Sequence, residues 1–564
     1  MTMRRNPLYL SLIATLSMGL MVGCSSSDDD SAQAPEPEVT TSIEISVLGQ
    51  YRSGVYLQSA AEIVDYDPVS RRSFVVNAAS GEIDVLDLSD PAFPQLLKTI
   101  NLGSFGAEVN SVAVKNGRVA AAVQAPLKTD PGRVVLLDTD GNVFADYPAG
   151  ALPDAVTFSP DGRYILVANE GEPNDDYTID PEGSITIVDL QPGMTNAVVR
   201  TADFKSFIGR EDELRAAGVR IFGPGANAAQ DFEPEWIVVT ADSKTAYVAL
   251  QENNAIAVLD VAEARVTDVF PLGFKDWSAA GEWSGNGFDA SDRDDGINIR
   301  HWPVFGVYQP DTIRLYETNG QRFIVTANEG DSRDYDGWTE EFRVGQMRLD
   351  PIAFPDAATL QANENLGRLR LTSTLGISNG CDPSVLDADP RTECVYDEIY
   401  AFGARSMSLF RVDPNGLTKV FDTGSELEDI TAAMFPTDFN SNNSVNNSFD
   451  TRSDDKGPEP EGLALGQIDG RTYAFLGLER IGGVMVYDIT VPEETTFVQY
   501  LINRDFSLPN TPEALTTTDL GAEGLHFVPA SDSPDRDGRP LLIVGNEVSG
   551  TTTVHAIDTV VVDD

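Results

Sequence analysis

Residues 154–190 read DAVTFSPDG, then YILVANEG, then, after an insertion, SITIVDL. Apolar and polar residues alternate in each run, and Pro, Asp, Asn and Gly stand where each run stops. That pattern marks short β-strands joined by tight turns. The same order recurs at 61–88 (AEIVDYDP, SFVVNAASG, EIDVLDL) and at 235–261 (EWIVVTADS, AYVALQENN, AIAVLDV), and a fourth run such as 265–270 follows. A four-strand unit repeated along a chain predicts an all-β fold, a β-propeller of four-stranded blades. Seven units start near Glu62, Asn110, Asp154, Glu235, Asp311, Glu461 and Glu523. The fifth is interrupted by an insertion at about 330–398, and its third strand falls at either 399–403 or 406–412. The last unit shows three strands, while SIEISVL at 42–48 has no neighbour at the other end of the chain. That N-terminal strand supplies the missing one and closes a seven-bladed ring, which removes two exposed sheet edges. A pair of β-sandwiches, or a ring of six or eight blades, is the competing reading.

The first strand of a propeller blade lines the central channel, and the second runs back beside it. The start of the first and the end of the second therefore meet on one face. The second strands end at Asn77, Gln124, Asn169-Glu170, Gln251-Glu252, Asn328-Glu329, Glu479 and Asn546-Glu547. Every unit thus brings an oxygen-bearing side chain to one channel mouth, and most bring a carboxylate. Crowded like charges raise one another's pKa or demand a counter-ion. Calcium, which takes six to eight oxygens, answers that demand. The expected ligands are Glu62, Asp154, Glu170, Glu235, Asp311, Glu329, Glu461, Glu523 and Glu547; another divalent ion or iron is the alternative to calcium. Two doublets, FEPEW at 232–236 and GPEPEGL at 457–463, place two glutamates around a proline at a strand start, a spacing suited to a metal bridge. Strand capping by Asp and Asn is the competing explanation of such residues.

The chain has 564 residues, 89 acidic against 39 basic, for a formal charge of −50. Nucleic acid as a partner is excluded, because a phosphate backbone needs a basic surface. Arg4 and Arg5, an apolar run at 8–22 and Met21-Val22-Gly23-Cys24 form a lipoprotein leader over 1–24, with Cys24 as the lipidated residue. A polar, Pro-rich tether follows at 25–41, then a single propeller domain at 42–564. Ser25 in place of Asp favours the outer membrane or cell surface of a Gram-negative envelope. The lipid is the only membrane attachment expected, and the protein is expected to be a monomer. In an exported chain the remaining cysteines, Cys381 and Cys394, form one disulfide. Three histidines in unlike contexts give no catalytic triad and no zinc site.

EPEW, DRDDGINIR (292–300), TANEGDSRDYDGW (326–338), PEPEGL, and AEGLHF with GNEVSGTT near the end resemble the choice-of-anchor I family of exported bacterial propellers. The resemblance covers most of residues 43–558. Members are often called alkaline phosphatase-like, and the EGL elements at Glu461 and Glu523 are similar to those of esterase-like phytases. The resemblance implies a calcium-dependent phosphomonoesterase acting on a phosphorylated small molecule. Glu329 and Asp331 would serve the metal-bound reaction, and Arg333 and Arg300 (with Arg405) would meet the phosphate. The alternative is a non-catalytic, calcium-stabilised module that binds a surface ligand or mediates adhesion.

Overall fold

The computed structural model describes residues 41–281, 287–385 and 389–561. Among them the chain builds seven four-stranded antiparallel sheets. The first strands of the first six are Val64–Asp67, Glu108–Lys115, Pro153–Phe158, Pro234–Val239, Ile313–Thr318 and Pro460–Ile468. Each begins within two or three residues of the start expected from the repeat. In five of these sheets the strands pair in chain order. In the fifth, Gln321–Asn328 pairs with Ser406–Asp413 across the insertion, so the second of the two expected positions is the third strand. The seventh sheet holds Ala522–Val528, Leu541–Asn546 and Thr551–Val561, and its fourth strand is Thr41–Arg52 from the other end of the chain.

Neighbouring sheets share apolar cores. Val76, Val85, Val112 and Val135 join the first sheet to the second, and Val134, Phe158 and Ile165 the second to the third. The same holds for each following pair. The seventh and first sheets also share one, through Val64, Tyr66, Leu541 and Ile543. Fully burying one such side chain is worth about 1.5–3 kcal/mol, so the interfaces are the main source of cohesion. Ser42–Val560 form one packed unit; the terminal residues group apart from it, and of these only Thr41 and Val561 are described. The expected leader, lipidation at Cys24 and tether, apart from Thr41, lie outside the described residues. Among the described residues no helix is long and apolar enough to cross a membrane.

The insertion has a core of its own. Trp277, Phe288, Trp302, Val344, Leu366, Leu371, Cys394 and Tyr396 pack together beneath it. Short hairpins and one-turn helices connect these residues. Cys381 and Cys394 are disulfide-bonded, with Cα atoms 5.1 Å apart. A fully buried ion pair, Lys275 with Asp422 at 2.8 Å, ties this cap to the fifth sheet, and Lys275 also donates to the carbonyls of Ala404 and Gly424.

Candidate functional site

A recurring irregularity aims the carboxylates. In the third sheet Pro153 faces Asn169 and Val156 faces Val167, so two residues, Asp154 and Ala155, oppose one. The same β-bulge carries Glu235 in the fourth sheet, Glu461 in the sixth and Glu523 in the seventh, and Asn110 in the second. In the first sheet Glu62 donates its N–H to Val76, which donates to Ile63 in turn. A bulge turns a side chain out of the regular alternation, and here it turns Asp154, Glu235, Glu461 and Glu523, with Asn110, toward one cavity. The glycines of the EGL elements allow the bulges to nest. A Cβ on Gly462 would lie 1.8 Å from the Glu523 carbonyl, and one on Gly524 2.2 Å from the Glu62 carbonyl.

Glu62, Asp154, Glu170, Glu235, Asp311, Glu461 and Glu523 line one cavity of about 320 Å³. The other two expected ligands sit beside it in smaller clusters. Glu547 has a carboxylate oxygen within 4.8 Å of those of Glu62 and Glu523, and Glu329 stands in the same relation to Glu459 and Glu479. Burial and the neighbouring negative charges push the Glu62 carboxyl up to about 8, and Ser59 opposes this with a hydrogen bond. The same causes push Asp154 to about 7 and lift Glu170, Glu235, Asp311, Glu461 and Glu523 well above the usual carboxylate range. One carboxylate oxygen each of Glu235, Glu461 and Glu523 is shut off from solvent and has no hydrogen-bond partner. Such atoms are expensive unless a proton or a cation reaches them. A donor set of carboxylates alone suits a hard divalent cation.

A profile of the choice-of-anchor I domain matches residues 62–492. The chain belongs to the choice-of-anchor I family. It is 28% identical over 309 residues to a mesenchyme-specific cell surface glycoprotein of Strongylocentrotus purpuratus, a match covering 49% of this chain and 38% of that one. It is 32% identical over 170 residues to gigasin-3a of Magallana gigas, covering 29% and 58%. The matched region thus spans well under two thirds of either relative. Solved structures similar to it include the β-propeller domain of Myceliophteria thermophila Cps50 (TM-score 0.42, 10% identity, 91% and 99% of the two chains). Hydrazine synthase of Kuenenia stuttgartiensis is another (0.43, 12%, 89% and 98%).

In this family member the asparagines beside the glutamates are staples. Asn169 donates to the Ser184 carbonyl and Thr186, and Asn328 donates to Ser406 and Ser408, each tying the second strand to the third. The two glutamates of each EPE doublet stand in different environments. Glu235 and Glu461 face the cavity, while Glu233 and Glu459 turn into ion pairs.

The arginines expected to meet phosphate do not converge. Arg333 is fully buried: it pairs with Asp231 at 2.8 Å and Glu233 at 3.0 Å, donates to the Asp231 carbonyl and lies over the Phe222 ring. Arg405 is buried against Glu428 and three backbone carbonyls. Arg300 is exposed on the cap, stacked on Trp302 at 3.8 Å and bonded to Asn365. Asp331 accepts from the Ser332 N–H at 2.7 Å.

The cations that do reach the site were not expected from the sequence. Lys456 donates to Glu329 at 2.8 Å, lies 3.2 Å from Glu459 and bonds the Gly330 carbonyl. Arg480 meets Glu479 at 2.8 Å and Glu459 at 3.0 Å, and Arg452 also pairs with Glu459. Against the cost of burial, these three cations hold the Glu459 carboxyl well below the usual range. Position carries a signal for both main partners: Arg480 directly follows the second-strand end at Glu479, and Lys456 stands three residues before Glu459.

Proposed function

We propose that this chain is an exported, seven-bladed propeller whose channel mouth binds calcium, and that it acts as a calcium-stabilised surface-binding module. The seven sheets, the apolar core shared by the seventh and first, and the pairing of Thr41–Arg52 with Thr551–Val561 support a closed ring. The leader motif and the family's name support attachment to the cell envelope through lipid at Cys24. The observation that carries the calcium reading is the set of solvent-excluded, unpartnered oxygens of Glu235, Glu461 and Glu523 in one acid-lined cavity. Hard cations in that cavity would bring positive charge to these oxygens and reduce the repulsion among their neighbours. The non-catalytic reading draws on the dispersal of Arg300, Arg333 and Arg405 into structural contacts.

One observation favours a second reading, a calcium-dependent phosphomonoesterase. Lys456 and Arg480 stand beside Glu329, where a phosphoryl group bridging to a bound ion would need positive charge. A calorimetric titration of calcium into the metal-stripped full chain tests the first claim. Saturable binding, weakened in Glu461→Gln, is the expected result, and no heat up to millimolar calcium would overturn it. An aryl phosphate assay with and without calcium divides the two functions. Calcium-dependent turnover abolished in Lys456→Met would replace the binding module with the enzyme.

A further inference from the structure

The same axis carries a second cavity of about 380 Å³, and its chemistry is opposite. It is formed by the middles and ends of the first strands, where the acid-lined cavity is formed by their starts, and the two share Ile63, Ser111, Ala155 and Trp236. Half-buried apolar side chains, Ile63, Val114, Trp236, Val239 and Leu315, make the wall. The polar groups are Arg314, Lys115 and an aspartate–histidine pair.

Arg314 differs from most interior arginines of this chain. Arg220, Arg333, Arg405, Arg452 and Arg480 each meet a carboxylate. Arg314 lies over the Trp236 ring at 4.7 Å and donates to the Ile313 carbonyl at 3.0 Å. Among the described residues no carboxylate comes within 4.0 Å of it, nor of Lys115. In a chain with 89 acidic residues, a sheltered guanidinium without a carboxylate partner is uncommon. Arg504, which also lacks one, is covered by Asn446 and the carbonyls of Asn442, Val445, Arg480 and Ile481, whereas Arg314 has no such cover among the described residues. Burial lowers Arg314 to about 10, and the distant charges of Asp311 and Asp65 only partly oppose this. The one acid in the cavity is already engaged. Asp65 accepts from the N–H groups of Tyr66 and Val114, and Nδ1 of His526 lies 2.8 Å from it.

We propose that this half of the channel binds a small organic monocarboxylate with an apolar body, its carboxylate on Arg314 and its body against the valine, leucine and tryptophan wall. A guanidinium and a carboxylate match in planar, two-point geometry. Enclosed, mostly apolar cavities of roughly 300–1,000 Å³ with a few polar groups are the usual form of small-molecule sites. Inorganic phosphate is disfavoured, because apolar walls return nothing for its desolvation.

The test is calorimetry on the full chain in metal-free buffer, with 4-phenylbutyrate as probe, 4-phenylbutanamide as the neutral match and inorganic phosphate as the anion without a body. The expected result is that the carboxylate binds at least tenfold tighter than the amide and phosphate. Arg314→Gln should erase that preference, and Arg314→Lys should keep part of it. Melting of each variant confirms that it is folded. Equal binding of acid and amide, tighter binding of phosphate, an unchanged preference in folded Arg314→Gln, or no binding of the carboxylate would each overturn the proposal. Calcium affinity of Arg314→Gln, measured alongside, should not fall, since the lost charge is positive, which separates this site from the acid-lined mouth.

Discussion

At Glu235, Glu461 and Glu523, one oxygen is shut off from solvent and has no donor from the chain. Replacing such a carboxylate by its neutral isostere should act in two directions. In metal-free solution Glu461→Gln removes a carboxyl that cannot ionise without repelling its neighbours, so its melting temperature should exceed the parent's by a margin that grows as pH rises. Its calcium affinity should fall about tenfold, since a hard cation loses a charged ligand. Lower melting temperature without calcium would contradict the crowding argument. The sequence made these residues legible because strand starts recur at a fixed spacing, and the bulge converts that spacing into a shared direction. It misled at Arg333. That residue stands two positions after TANEGD, but its partners Asp231 and Glu233 lie about a hundred residues earlier, and only the folded chain brings them together. Lys456 stands near Glu459 in the sequence, but its contact with Glu329 at 2.8 Å exists only in the folded chain.

Among the elements, the cap inserted in the fifth sheet is held by buried charge as much as by apolar packing. Removing one partner of a buried ion pair leaves the other uncompensated, at a cost of roughly 3–5 kcal/mol. Arg333→Gln strands both Asp231 and Glu233, so chemical denaturation should show a loss of that order, with no specific change in calcium binding. A loss below about 1 kcal/mol would mean that the cluster relaxes or hydrates. The nested bulges give a second expectation. Gly524→Ala drives a Cβ into the Glu62 carbonyl, and overpacking of this kind costs about 1–3 kcal/mol or more. Because backbone has to move, the effect should appear at the junction of the seventh and first sheets, as faster amide exchange in Val64–Asp67 and Ala522–Val528. Unchanged exchange there would show that the neighbour yields cheaply. The repeat made four-stranded units legible because alternation is a local property. The cap was legible only as an interruption, since its core is assembled from residues scattered between 277 and 401.

Across the whole molecule the raised carboxyls set a pH dependence. A carboxyl whose folded pKa lies above its unfolded value of about 4 favours folding while it is protonated. That stability is fully present below the unfolded pKa and is lost as pH rises through the folded one. Asp154 at about 7 and Glu62 at about 8 place the loss between about pH 4 and pH 8. Metal-free protein should therefore melt at progressively lower temperature across this window. Saturating calcium should flatten or reverse the trend, because the ion competes with protons for the same oxygens. A metal-free melting temperature that climbs steadily from pH 5 to 8 would contradict the assignment.

The strand Thr41–Arg52 has a further consequence, which is mechanical. It is bonded to Thr551–Val561 on one edge. From the neighbouring sheet the Gln499 amide accepts from the Ile45 N–H at 2.8 Å and donates to its carbonyl at 3.0 Å, gripping both backbone polar groups of one residue. Ile43 and Ile45 are buried. A load applied through the N-terminal segment meets this strand before any other part of the molecule. The seam is therefore also the first bearing surface. Tension there is shared along a row of ladder bonds and by the amide grip, so the weakest-looking place in the topology is the one reinforced against being pulled.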